Sequence, residues 1–320
     1  MTISLRCLLS LALVTTACTD TDPSQPPGND DEAEATQAVT TTAFTATYTG
    51  QGNGTTCNTT FNISGQEPTT TGGKFPVFIY TIGTSETFTN ASATAAVAQM
   101  AARGFVAATV AYSSGTFSGC STIAGKARCI FNGATATSAL AVLCSRAKAD
   151  CSKGVVVGGF SQGAVIATLA KNFDSRVQAA WGMGDGVQYS IFNLTSCMGN
   201  GNRTLPSSRL RAVDGERDQF IGAASAFATS GDAAHVRSQF QTLTGLSCGS
   251  TATNCLQSNG SGWLIVQNAQ VGDGSADHCY MRRTGDCGGS QNSLDAGWQT
   301  GTANWELGAN LAWLQTFTTP

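Results

Sequence analysis

Charged residues are scarce in this 320-residue chain: they make up 12% of it, and the net charge is −3. The chain has no run of lysine or arginine, so it lacks the basic footprint of a nucleic-acid-binding protein. Histidine is scarcer still, with two residues in all. Two histidines leave few ligands for a catalytic metal, and we therefore expect neither a metal nor a cofactor.

Long apolar runs are also missing. The run Cys7–Val14 follows Arg6 and is too short to span a bilayer, but it has the length of the apolar region of a signal peptide. The small residues before Cys18 resemble a bacterial lipoprotein signal, in which the cysteine is lipidated; ordinary secretion with cleavage near Ala17 is the alternative. We expect residues 1–18 to be removed or anchored in this way. The protein would then lie outside a bacterial cell, on its outer surface or in the periplasm.

The segment after this signal has almost no apolar content. Residues 19–38 contain paired prolines and an acidic run, and they cannot bury enough surface to fold. We expect a disordered tether there, followed by a single domain over residues 39–320 that acts as a monomer.

Cysteine, in contrast, is abundant, with twelve residues and no C-x-x-C pair, which argues against zinc ribbons and thioredoxin-like redox chemistry. Setting aside Cys7 and Cys18 leaves ten, an even number typical of an exported disulfide-bonded domain. From closeness in sequence we predict the pairs Cys120–Cys129, Cys144–Cys151, Cys248–Cys255 and Cys279–Cys287, with Cys57 and Cys197 remaining as the fifth.

Strand patterns alternate with helix patterns along the rest of the chain. An antiparallel pair is predicted over 42–49 and 56–64, and most later strands are nearly continuous apolar runs, typical of strands buried on both faces. Strands are predicted at 75–80, 104–112, 155–158, 176–182, 208–213 and 263–267; helices at 92–103, 134–150, 164–170, 233–243 and 304–317; and a loop at 113–133. The alternation predicts an α/β fold: a mainly parallel central sheet, helices on both faces, N-terminal antiparallel strands and no large lid domain.

The most informative motif is Gly159-Phe160-Ser161-Gln162-Gly163. A β-branched run precedes it and a helix-forming run follows it. This arrangement puts the Ser161 hydroxyl at the tip of a sharp strand-to-helix turn, with a helix N-terminus aimed at it. Ser161 is therefore a candidate nucleophile, which needs a base beside it and an acid to orient that base.

With two histidines, the choice of base is narrow. His235 falls within a predicted helix, where we expect an ordinary surface or partly buried side chain. His278 follows the strand 263–267 by a loop and precedes the final helix, and a loop beyond the carboxyl edge of the sheet can reach Ser161. We predict His278 as the base.

Asp218 is the candidate acid, because it sits just past the strand 208–213, at the same edge of the sheet. Asp214 is the nearest rival, and Asp185 is a weaker one. Each could instead be an exposed turn carboxylate, since aspartate is common in turns.

The chain order Ser161, Asp218, His278 resembles that of the α/β-hydrolase family, over the region from about Phe75 to Phe317. Residues 155–163 are especially similar to the nucleophile segment of cutinases and related secreted carboxylesterases. Cutinases, however, keep acid and base close in sequence, whereas about 60 residues separate them here. The resemblance therefore implies the fold and an esterase mechanism, but not a cutinase substrate.

That mechanism implies two backbone N–H donors for the oxyanion. One would be Gln162, directly after the nucleophile. The other would come from the loop 81–85, where Thr84 stands at the donor position and Thr81 and Ser85 are rivals.

For the substrate the sequence is less informative. Trp181 and Met183 end a strand near the predicted site, where they could form an apolar wall or belong to the core. The expected function is hydrolysis of small-molecule or polymeric carboxylic esters. A peptidase or amidase on the same fold and a non-catalytic surface-binding module are the alternatives.

Overall fold

The computed structural model describes residues 38–50, 57, 59–221, 231–283, 287 and 290–319. Within them the strands are β1 (Thr41–Tyr48), β2 (Phe61–Pro68), β3 (Val77–Thr81), β4 (Val106–Val110), β5 (Val155–Phe160), β6 (Val177–Met183), β7 (Gln188–Tyr189), β8 (Phe192–Asn193), β9 (Leu210–Gly215), β10 (Asn254–Leu256) and β11 (Gly262–Val266). The helices are α1 (Ala91–Ala102), α2 (Cys120–Phe131), α3 (Ala139–Cys144), α4 (Gln162–Leu169), α5 (Thr195–Met198), α6 (Ala233–Thr244), α7 (Ala296–Thr300) and α8 (Leu307–Gln315).

Nine of the strands form one sheet in the order β1-β2-β4-β3-β5-β6-β9-β11-β10. The six strands from β4 to β11 in this order run parallel to one another. β1 and β2 form an antiparallel pair at one edge, and β10 is antiparallel at the other. The predicted α/β fold with a mainly parallel sheet and N-terminal antiparallel strands is thus confirmed, and the architecture is consistent with an α/β-hydrolase.

Two groups of helices pack on this sheet. α1 and α8 contact each other and the strands around β3 to β6, while α2, α4, α5 and α6 form a second series of contacting helices. Between them the central strands are covered: every residue of β3, β4, β5, β9 and β11 is buried. This explains why β3, β4, β5 and β11 are largely apolar along their length rather than alternating; β9 also buries Arg211 and Asp214.

The region predicted as a loop at 113–133 contains α2 instead. The helix carries an apolar stripe of Ile123, Ala127 and Ile130, spaced as a buried helix face requires. The helix predicted over 134–150 is limited to α3, which begins at the capping residue Ser138. After α3 the chain turns back to the sheet, where the Asp150 N–H donates to the Phe75 carbonyl at 2.8 Å.

Three of the five predicted disulfides are confirmed: Cys144–Cys151, Cys248–Cys255 and Cys279–Cys287. The other two are wrong, because the bonds are Cys57–Cys129 and Cys120–Cys197. Cys120 and Cys129 lie on the same helix, where nine residues correspond to a rise of about 13 Å. A disulfide needs Cα atoms within roughly 7 Å, so these two cysteines cannot bond to each other.

Between β6 and β9 the chain forms the β7–β8 hairpin and the short α5 rather than a lid domain. Among the described residues, no helix combines the length and the apolar character needed to cross a membrane. The predicted signal peptide 1–18, Cys18 and residues 19–37 of the predicted tether lie outside the described residues, and these expectations stay predictions.

Candidate active site

Ser161 stands at the sharp turn where β5 ends and α4 begins. Its backbone has φ +53° and ψ −121°, a conformation that a non-glycine residue adopts only when its surroundings enforce it. Its N–H donates to the Met183 carbonyl at 2.8 Å, which ties the turn to β6. The side chain is half-buried and faces a cavity. This is the geometry that the flanking strand and helix patterns predicted.

The glycines of the motif are needed because the turn lies against β3. A Cβ on Gly163 would lie 2.1 Å from the Thr81 carbonyl oxygen, and one on Gly159 would lie 2.5 Å from Gly163 itself. The Thr81 hydroxyl donates to the Gly163 carbonyl at 2.7 Å. The close packing of the turn on the end of β3 therefore requires glycine at both positions.

His278 and Asp218 meet beyond the carboxyl ends of β11 and β9. His278 Nδ1 hydrogen-bonds Asp218 Oδ2, and the two side chains are 4% and 0% exposed. The other carboxylate oxygen accepts the N–H groups of Phe220 and Ile221, at 2.5 and 3.0 Å. These bonds hold the carboxylate in one orientation toward the imidazole, which leaves Nε2 as the ring nitrogen that does not face the acid.

Aromatic side chains enclose the imidazole. The rings of Phe160 and Phe220 lie 4.9 and 4.7 Å from it, centroid to centroid. Gly184, at φ +59°, approaches from a third side: a Cβ there would lie 2.6 Å from His278 Cε1. The ring thus occupies a slot with little room to rotate.

Asp214 is a second buried carboxyl beside this pair. Ligand atoms of Asp214, Asp218 and His278 all lie within 4.8 Å of one another. Burial, and then the charge and hydrogen bond of Asp218, raise the pKa of Asp214 well above its usual range. Burial alone would also raise the pKa of Asp218. The charge and hydrogen bond of His278, together with hydrogen bonds from Asp214 and the Ile221 backbone, bring that pKa below its usual value. These shifts favour the ionised form of Asp218 and the protonated form of Asp214.

The same three residues are the one group among the described residues that could offer a metal three ligands. They do not fit a cation well. Both Asp218 oxygens already accept hydrogen bonds from protein donors, and His278 Nδ1 is one of those donors. A metal would have to break these bonds, so the donor set fits a hydrogen-bonded cluster.

The other two alternatives, Asp185 for the acid and His235 for the base, lie outside this cluster. Asp185 is buried and accepts hydrogen bonds from the Thr168 hydroxyl at 2.8 Å and the Gly186 N–H at 2.9 Å. Burial raises the pKa of Asp185 to about 6. His235 lies on α6, is 44% exposed and pairs with Asp232, as expected for a helix-surface histidine.

Ser161 and His278 line the same cavity, which has a volume of about 310 Å³. Much of its wall is aromatic: Phe117, Phe160, Tyr189, Phe192 and Phe220. Trp181 and Met183, which we predicted as an apolar wall, are fully buried in the core and are not among the residues that line the cavity. Their side chains fill the sheet interior, and the β7–β8 hairpin with its neighbours supplies the wall in their place.

Thr84 lines the cavity beside Ser161, and the buried Gln162 side chain reaches it: Gln162 Nε2 donates to Thr84 Oγ1 at 2.9 Å. As the first residue of α4, Gln162 has a backbone N–H without an intrahelical partner. Of the two rivals, Ser85 already donates its N–H to the Ser114 carbonyl at 3.1 Å, and Thr81 belongs to β3. Gln162 and Thr84 are thus brought together at the nucleophile turn.

Two residues that sequence reasoning missed connect the loops of the site. Glu86 and Arg282 form an ion pair in the cavity wall, with side chains 5% and 3% exposed. Glu86 Oε2 also accepts the Gly83 N–H at 2.7 Å, next to Thr84. The pair therefore links the loop after β3 to the loop that carries His278. Nothing in the spacing of these residues signals it, since they are far apart in the chain.

Comparison with known proteins adds little to this geometry. No protein-family model matches the chain, and no curated protein does. Among solved structures it is similar to a hypothetical protein from Pseudomonas aeruginosa, with 17% identity and a TM-score of 0.36. That similarity covers 50% of this chain and 46% of the other. The class of the protein therefore follows from its own sheet and site: an α/β protein with a strand-turn-helix serine and a buried His–Asp pair at one edge.

Proposed function

We propose that this protein is a serine hydrolase of the α/β-hydrolase type that cleaves carboxylic esters. One observation carries the proposal: Ser161, on a strained turn, lines the same cavity as His278. The Nδ1 atom of His278 is hydrogen-bonded to the buried carboxylate of Asp218. A serine hydroxyl is a weak nucleophile at neutral pH, and an oriented imidazole is what activates it. Three separate loops supply the serine hydroxyl, the imidazole and the carboxylate that orients the imidazole.

The proposed reaction is acyl transfer in two steps. His278 takes the Ser161 proton as Oγ attacks the ester carbonyl, and Asp218 stabilises the imidazolium that forms. His278 then protonates the leaving alcohol, which leaves an acyl group on Ser161. Water attacks this acyl-enzyme by the same route, with His278 as base, and releases the acid.

The oxyanion of each tetrahedral intermediate would be held by the N–H groups of Gln162 and Thr84. Donors fixed before the reaction stabilise the developing charge without reorganising, and each contributes about 10²–10³-fold in rate. The α4 N-terminus, which begins at Gln162, adds its positive end to the same point.

The cavity suits compact acyl groups. A volume of about 310 Å³ is at the small end for ligand sites, and the aromatic side chains pack on one another across it. Phe117 contacts Tyr189 and Phe192 with ring centroids 4.8 and 5.6 Å apart. We propose short-chain or aromatic esters as substrates, either free or as part of a polymer. The polymer is included because Phe220, which lines the cavity, is 41% exposed and therefore accessible to a large substrate.

The five disulfides are typical of proteins outside the cytoplasm, where thiols are not kept reduced. We propose that the protein works as an exported monomer, secreted or attached to a membrane through Cys18.

The test is hydrolysis of p-nitrophenyl esters of increasing acyl length by the purified protein, with p-nitroanilides in parallel. Esterase activity should be lost in Ser161→Ala and His278→Ala, with the thermal unfolding midpoint of Ser161→Ala within a few degrees of wild type. His235→Ala is the matched control, because it removes the exposed histidine, and it should keep wild-type turnover. Cleavage of anilides but not esters would point to an amidase, and failure of a fluorophosphonate to label Ser161 would point to a non-catalytic module.

A further inference from the structure

Lys126 is a buried lysine that the reaction above does not use. It lies on the apolar face of α2, beside Ile123 and Ile130, and is 3% exposed. A lysine is seldom buried so fully without a carboxylate partner. Here its ammonium donates to two uncharged acceptors, the Thr116 carbonyl and Gln162 Oε1, the latter at 2.8 Å. Among the described residues, no carboxylate lies within ion-pair distance of it.

The lysine fixes which way the Gln162 amide faces. An ammonium only donates, so it requires the amide oxygen on its side. The opposite end faces carbonyls, which only accept: Gln162 Nε2 donates to Thr116 and Ser114 at 3.1 and 3.3 Å. The same NH₂ group donates to Thr84 Oγ1 at 2.9 Å. A reversed amide would lose the bonds to Lys126, Thr116 and Ser114, because an ammonium only donates and a carbonyl only accepts.

The chain of contacts ends at the two residues proposed as oxyanion donors. Gln162 follows the nucleophile, and Thr84 stands on the loop after β3. The Gln162 side chain joins them, and Lys126 holds that side chain at its other end. Thr84 lines the cavity, whereas Lys126 and Gln162 are not among its lining residues, so the ammonium does not meet substrate.

We propose that Lys126 is a positioning residue for the oxyanion hole. Lys126 holds the Gln162 amide, and this amide holds Thr84 against the nucleophile turn. Lys126 also places a buried positive charge behind the oxyanion hole. This inference rests on the proposed esterase function. A charge in a water-excluded position adds more to oxyanion stabilisation than one in solvent. Loss of that charge should therefore slow acyl transfer even where the hydrogen bonds survive.

The ionisation of Lys126 falls in an accessible pH range. Burial lowers the pKa of Lys126 to about 8. The helices α3 and α4, which pack against α2, contain no titratable side chain other than the bridged Cys144. The turn Ala170–Asn172 also packs against α2 and carries Lys171, whose pKa burial lowers. On the loop before α2, Tyr112 donates its hydroxyl to the Ile82 carbonyl, and burial raises the pKa of that phenol. On α2 itself, Arg128 lies over the Phe173 ring. Lys171 is therefore the other lysine near α2 whose pKa burial lowers, and a variant of Lys171 serves as the control.

The experiment measures kcat/KM for phenyl acetate by pH-stat between pH 5 and 10, for wild type and Lys126→Met. Wild type should fall to a lower plateau with a midpoint near pH 8. Lys126→Met should start about tenfold or more below wild type at pH 7, mainly in kcat, and lack that alkaline decline. Lys171→Met is the matched control, because Lys171 also donates to two uncharged acceptors, the Ser175 and Val177 carbonyls at 2.8 and 2.6 Å, but from the turn directly after α4. It should keep the wild-type profile.

A Lys126→Met enzyme with wild-type kcat, or one that is slowed yet keeps the alkaline decline, would overturn the inference and leave the esterase proposal intact. A wild-type protein that neither hydrolyses esters nor is labelled by a fluorophosphonate would overturn both. If Lys126→Met does not fold, Lys126→Arg is measured in its place. The guanidinium stays charged throughout this pH range, so the decline in kcat/KM near pH 8 should disappear. A decline that persists in Lys126→Arg would overturn the inference.

Discussion

Asp214, whose raised pKa favours a protonated carboxyl beside the His–Asp pair, gives the sharpest test of the electrostatics at this site. Asparagine in its place has nearly the same shape, and its amide offers a donor toward Asp218 as a carboxylic acid would. If Asp214 is neutral in the native protein, Asp214→Asn changes no charge. We expect the acidic limb of the kcat/KM profile to move by less than about half a pH unit, and kcat to stay within about threefold of wild type.

The alternative has a different and larger signature. Were Asp214 ionised, its charge would lie within 4.8 Å of the imidazole. Coulomb's law with an effective dielectric constant of about 20 gives at least about 3 kcal/mol for that interaction, or roughly two pH units. Removing such a charge would make protonation of the base harder, so the acidic limb would move to lower pH by about that amount.

The assay is ester hydrolysis between pH 4 and 8 for wild type, Asp214→Asn and Asp218→Asn. Asp218→Asn should lower kcat by about 10⁴-fold, because the amide favours the wrong imidazole tautomer. A downward shift of the acidic limb by more than one pH unit in Asp214→Asn would refute the assignment of the proton. Loss of activity in Asp214→Asn as large as in Asp218→Asn would show instead that Asp214 is the orienting acid.

Three further predictions follow from packing and burial. Gly184→Ala should lower kcat/KM at least tenfold, because the new Cβ would lie 2.6 Å from the base imidazole; Gly201→Ala has a similar positive φ with open space around it and should lose stability alone. Burial raises the pKa of Asp185 from 3.8 to about 6, so its contribution to stability falls as pH rises through that window; Asp185→Asn should be up to about 3 kcal/mol more stable than wild type at pH 7 in urea unfolding, and lower stability would contradict this. Replacing both Cys279 and Cys287 by alanine should reduce kcat at temperatures well below unfolding, because their bridge closes the loop next to the base; unchanged kcat would exclude that role.

The strands and the nucleophile turn could be predicted from the sequence because each has a strictly local signal. Runs such as Val77–Thr81 are apolar throughout because both faces of the sheet are covered. The turn at Ser161 is marked by glycines that close packing requires. The placement of Asp218 and His278 followed from the same reasoning, since loops after parallel strands share one edge.

The features that could not be predicted depend on contacts between distant segments. α2 was missed because it lies within the glycine- and cysteine-rich segment 113–133, whose helix propensity is low. Tertiary packing of the apolar stripe of α2 stabilises the helix instead. Because that helix was not predicted, closeness in sequence led to the wrong prediction of a Cys120–Cys129 disulfide. A tryptophan at a strand end, such as Trp181, suits the core as well as a cavity wall, and packing alone distinguishes the two.

The two bridges of α2 have a consequence for how the protein must be produced. Cys120 and Cys129 stand near opposite ends of one helix, and each bonds to a partner more than 70 residues away, at 77 and 72 positions. Once α2 has formed, a Cys120–Cys129 disulfide is sterically impossible. The native disulfides can therefore form only after the segments that carry Cys57 and Cys197 have packed against α2. Expression in a compartment with a thiol oxidase and an isomerase should therefore yield homogeneous material, whereas refolding from a randomly oxidised chain should give a mixture of crosslinked isomers.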